Sequence, residues 1–377
     1  MSKSGATEGP RFKPLDAWRG IAALLVAVHN FGYPQATFVG HSSLFVDFFF
    51  VLSGFVISYA YMDKLGDWAG LSAFVVRRIG RLWPLHVVML LVFVALDSIK
   101  IVAGSAGGAS FHVAPFAPPN TIAAIWQNVF MVQALGWHTQ LSWNVPSWSI
   151  STEFWTYLLF AAIVFCCRGS APPRWLMAAI AVAAAGLLFL HSPYYLVSNT
   201  DLPIFRCILG FFVGHLVLRA WKGTARPLVS GGWFEVLAAV MMLTYVRFAE
   251  GPWSMAAPLV FGFAVWAYAR GDGPLSKILL LRPFVRLGAW SYSIYMVSFL
   301  VRNVVLRILG ATGVVFASLP DDATPWHGGG HRWALDAALV AYLGAVVVLS
   351  AISFRLIEEP ARRYASGLGI PSLDFPR

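Results

Sequence analysis

LDAWRGIAALLVAVHNFG, residues 15–32, decides how the rest of the chain is read. It is apolar enough to cross a bilayer as a helix, yet it carries Arg19 and, ten positions on, His29. Comparable apolar runs recur along the 377 residues, which are 58% hydrophobic, 15% aromatic and only 12% charged, with a mean hydropathy of +0.69. Soluble globular domains carry about 25% charged residues. This composition excludes them and indicates an all-α integral membrane protein. No cleaved signal peptide is expected, because the first apolar run contains Arg19 and lacks a small-residue cleavage site after it.

From 15–33 the reading extends to further spans at 44–62, 82–103, 148–167, 174–191, 204–219, 233–249, 254–270, 287–309 and 334–357, about ten in a single bundle. Lysine and arginine orient them. Lys3, Arg11 and Lys13 precede span 1; Lys64, Arg77, Arg78 and Arg81 follow span 2; Arg168 follows span 4. Lys222 and Arg226, then Lys277, Arg282 and Arg286, then Arg362, Arg363 and Arg377 fall on the same side. Segments 34–43, 104–147 and 192–203 on the other side contain none, and Arg332 is the exception. Both termini are therefore expected in the cytoplasm. The basic residues serve topology, and no nucleic-acid partner is expected. Residues 1–14 and 364–377 read as tails around one membrane domain, 15–363. Within the long outer segment, TIAAIWQNVFMVQAL is expected to lie along the interface as a short helix or to re-enter the bundle. Cys166, Cys167 and Cys207 have neither metal-ligand nor disulfide spacing, and no metal is expected.

Ionisable groups inside a span are costly and are functional candidates by default. Arg19 lies near the cytoplasmic end of span 1, where a snorkelling anchor is the plain alternative. His29 lies about 15 Å deeper, and a desolvated imidazole stays neutral, the form that accepts a proton. Asp47 in FVDFFFVLSGF and Glu153 in VPSWSISTEFWTYLLF share its outer half, although either carboxylate would also serve as a helix cap. A base oriented by a carboxylate and facing a hydroxyl suits acyl transfer. On the cytoplasmic side, FVVRRIGRLWPLH groups Arg77, Arg78 and Arg81; in a helix the last two share a face fit for phosphate, or for an ordinary positive-inside anchor. Trp143 and Trp148 near the outer surface suit stacking on sugar rings, or interfacial anchoring.

LDAWRGIAALLVAVHN, VDFFFVLSGFVIS, RRIGRLWP, WSISTEFWTYLLF, LGAWSYSIYMVSF and FRLIEEPARR, in this order from residue 15 to 363, resemble the acyltransferase-3 family of membrane O-acyltransferases. The resemblance implies an active-site pair at Arg19 and His29 and a motif position at Glu153; Asp47 is a further catalytic candidate from its place in the span. It associates Arg78 and Arg81, with Arg77 beside them, with an acyl-coenzyme A donor, usually acetyl-coenzyme A. Trp148, Ser149, Trp143 and Tyr292 are placed on the acceptor side. It further implies a bacterial inner membrane, lipid surroundings and a carbohydrate or glycolipid acceptor. Two departures stand out. Relatives often have ten residues between the arginine and the histidine, about 20° apart on a helix; nine here set them about 80° apart, with Asn30 at the in-line position. Ser298 occupies a position where relatives often have histidine. A rival class, a transporter or lipid-linked-sugar flippase using the buried Arg, His and Glu as a pathway, would favour inverted repeats. None is found in the sequence.

Overall fold

The computed structural model describes residues 12–32, 40–105, 114–136, 140–223, 232–311 and 332–367. The tails at 1–11 and 368–377, and with them Lys3, Arg11 and Arg377, lie outside the described residues, as do Arg226 and most of segment 34–43.

The described chain is helical, with no strand among the described residues. Helix α1 (Lys13–Phe31) begins with Pro14 in its first turn, where a missing N–H costs nothing. It stops at Gly32, whose left-handed φ of 77° lets its N–H cap the carbonyl of His29. There follow α2 (Phe45–Tyr61), α3 (Trp68–Ser105), the short α4 (Ile122–Val129), α5 (Trp148–Cys166), α6 (Arg174–His191) and α7 (Pro203–Gly223). Then come α8 (Trp233–Phe248), α9 (Ala257–Tyr268), α10 (Pro274–Leu279), α11 (Arg282–Ala311) and α12 (Arg332–Ser353). A π-helical turn, Phe354–Glu358, leads into α13 (Glu359–Gly367).

Each of the ten expected spans coincides with a helix, and among the described residues seven helices are long and apolar enough to cross a membrane. Of the other three, α1 carries Lys13, Asp16 and Arg19, and α8 and α9 have 16 and 12 residues, short of a full crossing. Leu91, Ile99, Val182, Leu190, Leu259, Val340 and Val348 lie on helix faces turned out of the bundle. In water these faces would form a large apolar patch; in lipid they are the solvated surface. The interfacial stretch appears as α4, with Thr121 accepting the Ala124 N–H as its N-cap and Ile122, Trp126 and Phe130 exposed.

Lipid provides no hydrophobic force between helices, so close crossings depend on small residues. Two such crossings organise the bundle. A Cβ on Gly54 would lie 1.9 Å from the Phe211 carbonyl oxygen and one on Gly214 1.9 Å from that of Val51, which locks α2 to α7. A Cβ on Gly20 would meet the Leu287 and Gly288 backbone at 2.4 and 2.6 Å, which locks α1 to α11. The site forms where α1, α2 and α11 meet α3 and α5.

Candidate active site

Five helices contribute side chains to one cavity of about 60 Å³. Val46, Phe49, Phe50 and Ser53 of α2 follow i, i+3, i+4, i+7 spacing and form a single stripe along it. Ser149, Ile150 and Glu153 come from α5, Ser291, Tyr292 and Tyr295 from α11, Arg81 and Leu82 from α3, and Arg19 from α1. The stripe from Ser53 to Val46 runs about 10 Å. Its Ser53 end is polar and its Val46 end is largely apolar.

Glu153 anchors the polar end. It accepts hydrogen bonds from the hydroxyls of Ser53 and Tyr157, the latter one helical turn away on its own helix. Arg19 and Arg81 lie within its field and also within that of Glu358, the last residue of the π-helical turn. Glu358 accepts from Ser293 Oγ at 3.0 Å and faces Arg362 at 3.6 Å. The extra residue of a π turn shifts helical register, and such turns recur at functional sites. This one carries Glu358 inward, while α13 packs on α3 at Gly80, where an added Cβ would lie 2.3 Å from Ala365 Cβ. Asp16 bonds Arg19 at 3.4 Å. Two arginines thus face three carboxylates around a space lined by hydroxyls. Such a site can bind an anion or hold a polarised carbonyl.

The arginine triplet is not in a loop. It falls inside α3, which begins thirteen residues before Arg81. Arg81 lines the cavity, but Arg78 is buried behind it, bonded to Tyr61 Oη at 3.1 Å and enclosed by the Tyr61, Phe74 and Tyr157 rings at 5.3–5.8 Å. Arg77 is buried as well. Pro84, with no N–H to offer Gly80, leaves the turn holding Arg81 without one backbone bond.

His29 stands apart from the cavity, in the last turn of α1. Its Nδ1 lies 3.2 Å from the Gly40 carbonyl oxygen. A carbonyl only accepts, so Nδ1 donates and Nε2 keeps the lone pair of a neutral imidazole. The partner that fixes the tautomer is therefore Gly40 and not Glu153, as the shared depth had suggested. Asp47 is also separate. Fully buried, it forms a two-bond pair with Arg206 of α7: Nε to Oδ1 at 2.9 Å and Nη2 to Oδ2 at 2.8 Å. Its role as an orienter of His29 finds no hydrogen bond here.

The two tryptophans need the same correction. Trp148 is buried with the Arg206 guanidinium 5.2 Å above its ring, and Trp143 is buried against Phe116, so neither offers a face to a sugar. Ser149 and Tyr292 do line the cavity. Ser149 Oγ donates to Tyr295 Oη at 3.1 Å, and Tyr292 Oη donates to the Leu82 carbonyl at 2.5 Å. Sequence reasoning missed Ser53, Tyr157, Ser291, Tyr295, Glu358 and Arg206. Tyr157 was the accessible one, at i+4 from Glu153; Arg206, an arginine inside a span opposite an acid inside another, also carried a signal.

A bundle of apolar helices around a charged, hydroxyl-lined cavity defines a membrane-embedded protein equipped for polar chemistry. The chain belongs to the acyltransferase-3 family, whose model, described as an acyltransferase domain, matches residues 12–355. It is similar to "Acyltransferase MdmB" of Streptomyces mycarofaciens, 26% identical over 354 residues covering 85% of this chain and 81% of that protein. It is also similar to "Protein 2 in picA locus" of Rhizobium radiobacter, 42% identical over 91 residues, which are 22% of this chain and 45% of that protein. No solved structure matches the chain.

Proposed function

We propose that this membrane acyltransferase takes an acyl group from acyl-coenzyme A, acetyl-coenzyme A first among them, and places it on a hydroxyl of a sugar, polysaccharide or glycolipid in a bacterial inner membrane. The observation that carries this reading is the convergence of Arg19, Arg81 and Glu153 on one hydroxyl-lined cavity. Arg81 and Arg19 are the cations placed to meet the anionic donor. Arg77 and Arg78 add positive field from behind, and Arg78 steadies Tyr61 and Tyr157.

The donor enters from the end where α1 begins, which is cytoplasmic in the charge-based orientation. Its arm passes along the polar end of the cavity. His29 lies at the other end of α1, about 15 Å on, beside the loop preceding α2. There Nε2 takes the proton of the acceptor hydroxyl as its oxygen attacks the thioester carbon. The carbon–sulfur bond breaks, the ester carbon–oxygen bond forms, and the proton held on Nε2 ends on the departing thiolate. One acyl-coenzyme A and one alcohol give one ester and one coenzyme A thiol. Ser149 and Tyr292 lie along the path of the reacting groups. Asp47, Trp143 and Trp148 hold the surrounding structure.

The test is release of coenzyme A from acetyl-coenzyme A by purified protein in lipid. Loss of a general base costs about 10²–10⁴-fold, so His29→Ala is expected to fall at least 100-fold while still binding donor. Arg81→Ala is expected to need about tenfold more donor. If His29→Ala retains wild-type transfer in a folded protein, the mechanism is wrong. Wild-type protein that neither binds nor turns over any acyl-coenzyme A would move the reading to the transport class.

A further inference from the structure

The segment between α3 and α5 encloses a second polar cluster, which the acyl-transfer steps above do not use. Asn128 of α4 is its hub. Its carbonyl accepts from His86 Nε2 of α3 at 2.7 Å, its Nδ2 donates to Ser142 Oγ at 3.0 Å, and its Oδ1 accepts from Ser147 Oγ at 3.3 Å. Gln133 Nε2 donates to the Ser147 carbonyl and hydroxyl, both at 3.2 Å. The Asn144 carbonyl accepts the Ser147 N–H at 2.8 Å, and Asn144 Nδ2 donates to the Met296 carbonyl of α11 at 3.1 Å. His86, Asn128, Gln133, Asn144 and Ser147 are all more than nine-tenths buried.

Four buried atoms here have no hydrogen-bond partner among the described residues: His86 Nδ1, Gln133 Oε1, Asn144 Oδ1 and Nε1 of the adjacent Trp143. The bond at the other end of each side chain fixes what the free atom is. A carbonyl only accepts, so His86 Nε2, Gln133 Nε2 and Asn144 Nδ2 all donate, and the atoms left over in these three residues are acceptors. Trp143 Nε1 is a donor. Buried polar atoms left unpaired cost free energy, and four in one cluster call for a partner from outside the chain. Three acceptors disfavour an anion, and a donor among them disfavours a cation. A hydroxyl both donates and accepts, and so matches all four. The backbone is strained in the same segment: Phe116, Met131 and Trp143 hold left-handed φ of 56°, 53° and 54°. Such strain in bulky residues clusters at ligand clamps and active sites.

We propose that this cluster is the subsite for a polyhydroxylated acceptor, a sugar, with His86, Gln133 and Asn144 accepting from its hydroxyls and Trp143 donating to one of them. The inference rests on the reading of a carbohydrate acceptor and deepens it by naming the residues that hold the sugar. The Trp143 ring stays against Phe116, and only its N–H edge is used. The level along the bundle fits. Gly20 of α1 crosses α11 at Gly288, and both helices start on the cytoplasmic side in the charge-based orientation. From that crossing His29 lies about 13 Å along α1 and Met296 about 12 Å along α11. Asn144 therefore meets α11 level with the base. No covalent bond changes in this subsite.

The experiment follows melting of the full-length protein, in nanodiscs free of glycoside detergent, against increasing methyl glucoside, methyl galactoside or methyl mannoside. Sodium phosphate at matched ionic strength is the anionic probe. A ligand of the folded form raises the melting temperature in proportion to its occupancy of the site, whereas the osmolyte effect of a sugar is common to all variants. Wild type is expected to respond to at least one glycoside more than the variants do, and not to phosphate. Gln133→Met is expected to raise the glycoside concentration needed for a given shift at least tenfold. Trp143→Phe removes only an N–H that bonds no described residue, so the fold is kept while the glycoside requirement rises about three- to tenfold. Glycoside responses equal in wild type, Gln133→Met and Trp143→Phe, or no response to any of the three sugars, would overturn the subsite. So would a phosphate response lost in the same variants. Variants that melt lower than wild type but keep its glycoside response would assign the free atoms to buried water and overturn it too. A glycoside response lost in the variants, from a wild type that neither binds nor turns over any acyl-coenzyme A, would support the subsite and overturn the parent reading instead.

Discussion

Asp47 and Glu153 look alike in the sequence, two acids near the outer ends of spans, but the structure separates them, and the difference is measurable. Asp47 is fully buried with Arg206, whose guanidinium also donates from Nη1 to the Ser198 carbonyl at 3.1 Å and to Asn199 Oδ1 at 3.0 Å, and from Nη2 to the Ser43 carbonyl at 3.2 Å. Removing one partner of a buried pair leaves the other charge uncompensated and costs about 3–5 kcal/mol. Asp47→Ala should therefore lower the melting temperature of the purified protein by several degrees, on the order of 5–10 °C. Replacing both partners by apolar residues of similar size, Asp47→Leu with Arg206→Met, should recover much of that loss, because no charge is then left buried. Thermal unfolding in one detergent and coenzyme A release in lipid are measured side by side for both single variants and the double variant. If Asp47 is structural, activity per folded molecule stays within a few fold of wild type. An Asp47→Asn protein that melts like wild type but has lost 100-fold in turnover would refute this and return Asp47 to the chemistry.

Gly54→Leu, which forces a side chain onto the Phe211 carbonyl, should part α2 from α7 and abolish the single folded peak in size-exclusion chromatography, while substitution of the uncrowded Gly344 should not. Cys166 is exposed at the end of α5, so an impermeant maleimide added to intact cells should leave it unlabelled and label it after lysis; labelling in intact cells would invert the orientation. Glu358→Gln removes a carboxylate from beside Arg81, Arg19 and Arg362 and should destabilise the folded protein by about 1–3 kcal/mol, read from its melting curve. Exchanging His29 and Asn30 would bring the imidazole into line with Arg19 but take it from the Gly40 carbonyl; we expect at least 100-fold lower turnover, and improved turnover would show that alignment matters more than the tautomer.

The helices were legible because a span must satisfy its own backbone and turn apolar side chains to lipid, which leaves long runs in the sequence. Each of the ten positions read from those runs coincides with a helix, and seven of these, among the described residues, are long and apolar enough to cross a membrane. The expected spans at 233–249 and 254–270 fall on α8 and α9, whose 16 and 12 residues are short of a full crossing. The site was only partly legible. Arg19, Arg81, Glu153, Ser149 and Tyr292 come together in the cavity, but no periodicity could show that Arg78 faces three aromatic rings while Arg81 faces a void. Nor does depth along a span predict partners. Glu153 bonds Ser53, which lies six residues and about 9 Å along α2 from Asp47, whereas Asp47 is held by an arginine 159 residues away on α7.

The spacing of Arg19 and His29 follows from the same geometry. Residues ten apart on a helix differ by about 80° in direction and 15 Å in height, so the two side chains of α1 cannot serve one small cavity. Arg19 turns toward α2, α3, α5 and α11, where the cavity lies, and His29 turns toward the segment just before α2, where a backbone carbonyl fixes its tautomer. A cation that attracts the donor and a base that meets the acceptor are best kept apart. A guanidinium beside the imidazole would disfavour its protonated form and weaken it as a proton acceptor. Glu153, with its hydroxyl partners, lies at the arginine end instead, where it balances positive charge. One helix thus carries both functions because its length separates them, and its rotation sets each on a different surface of the bundle.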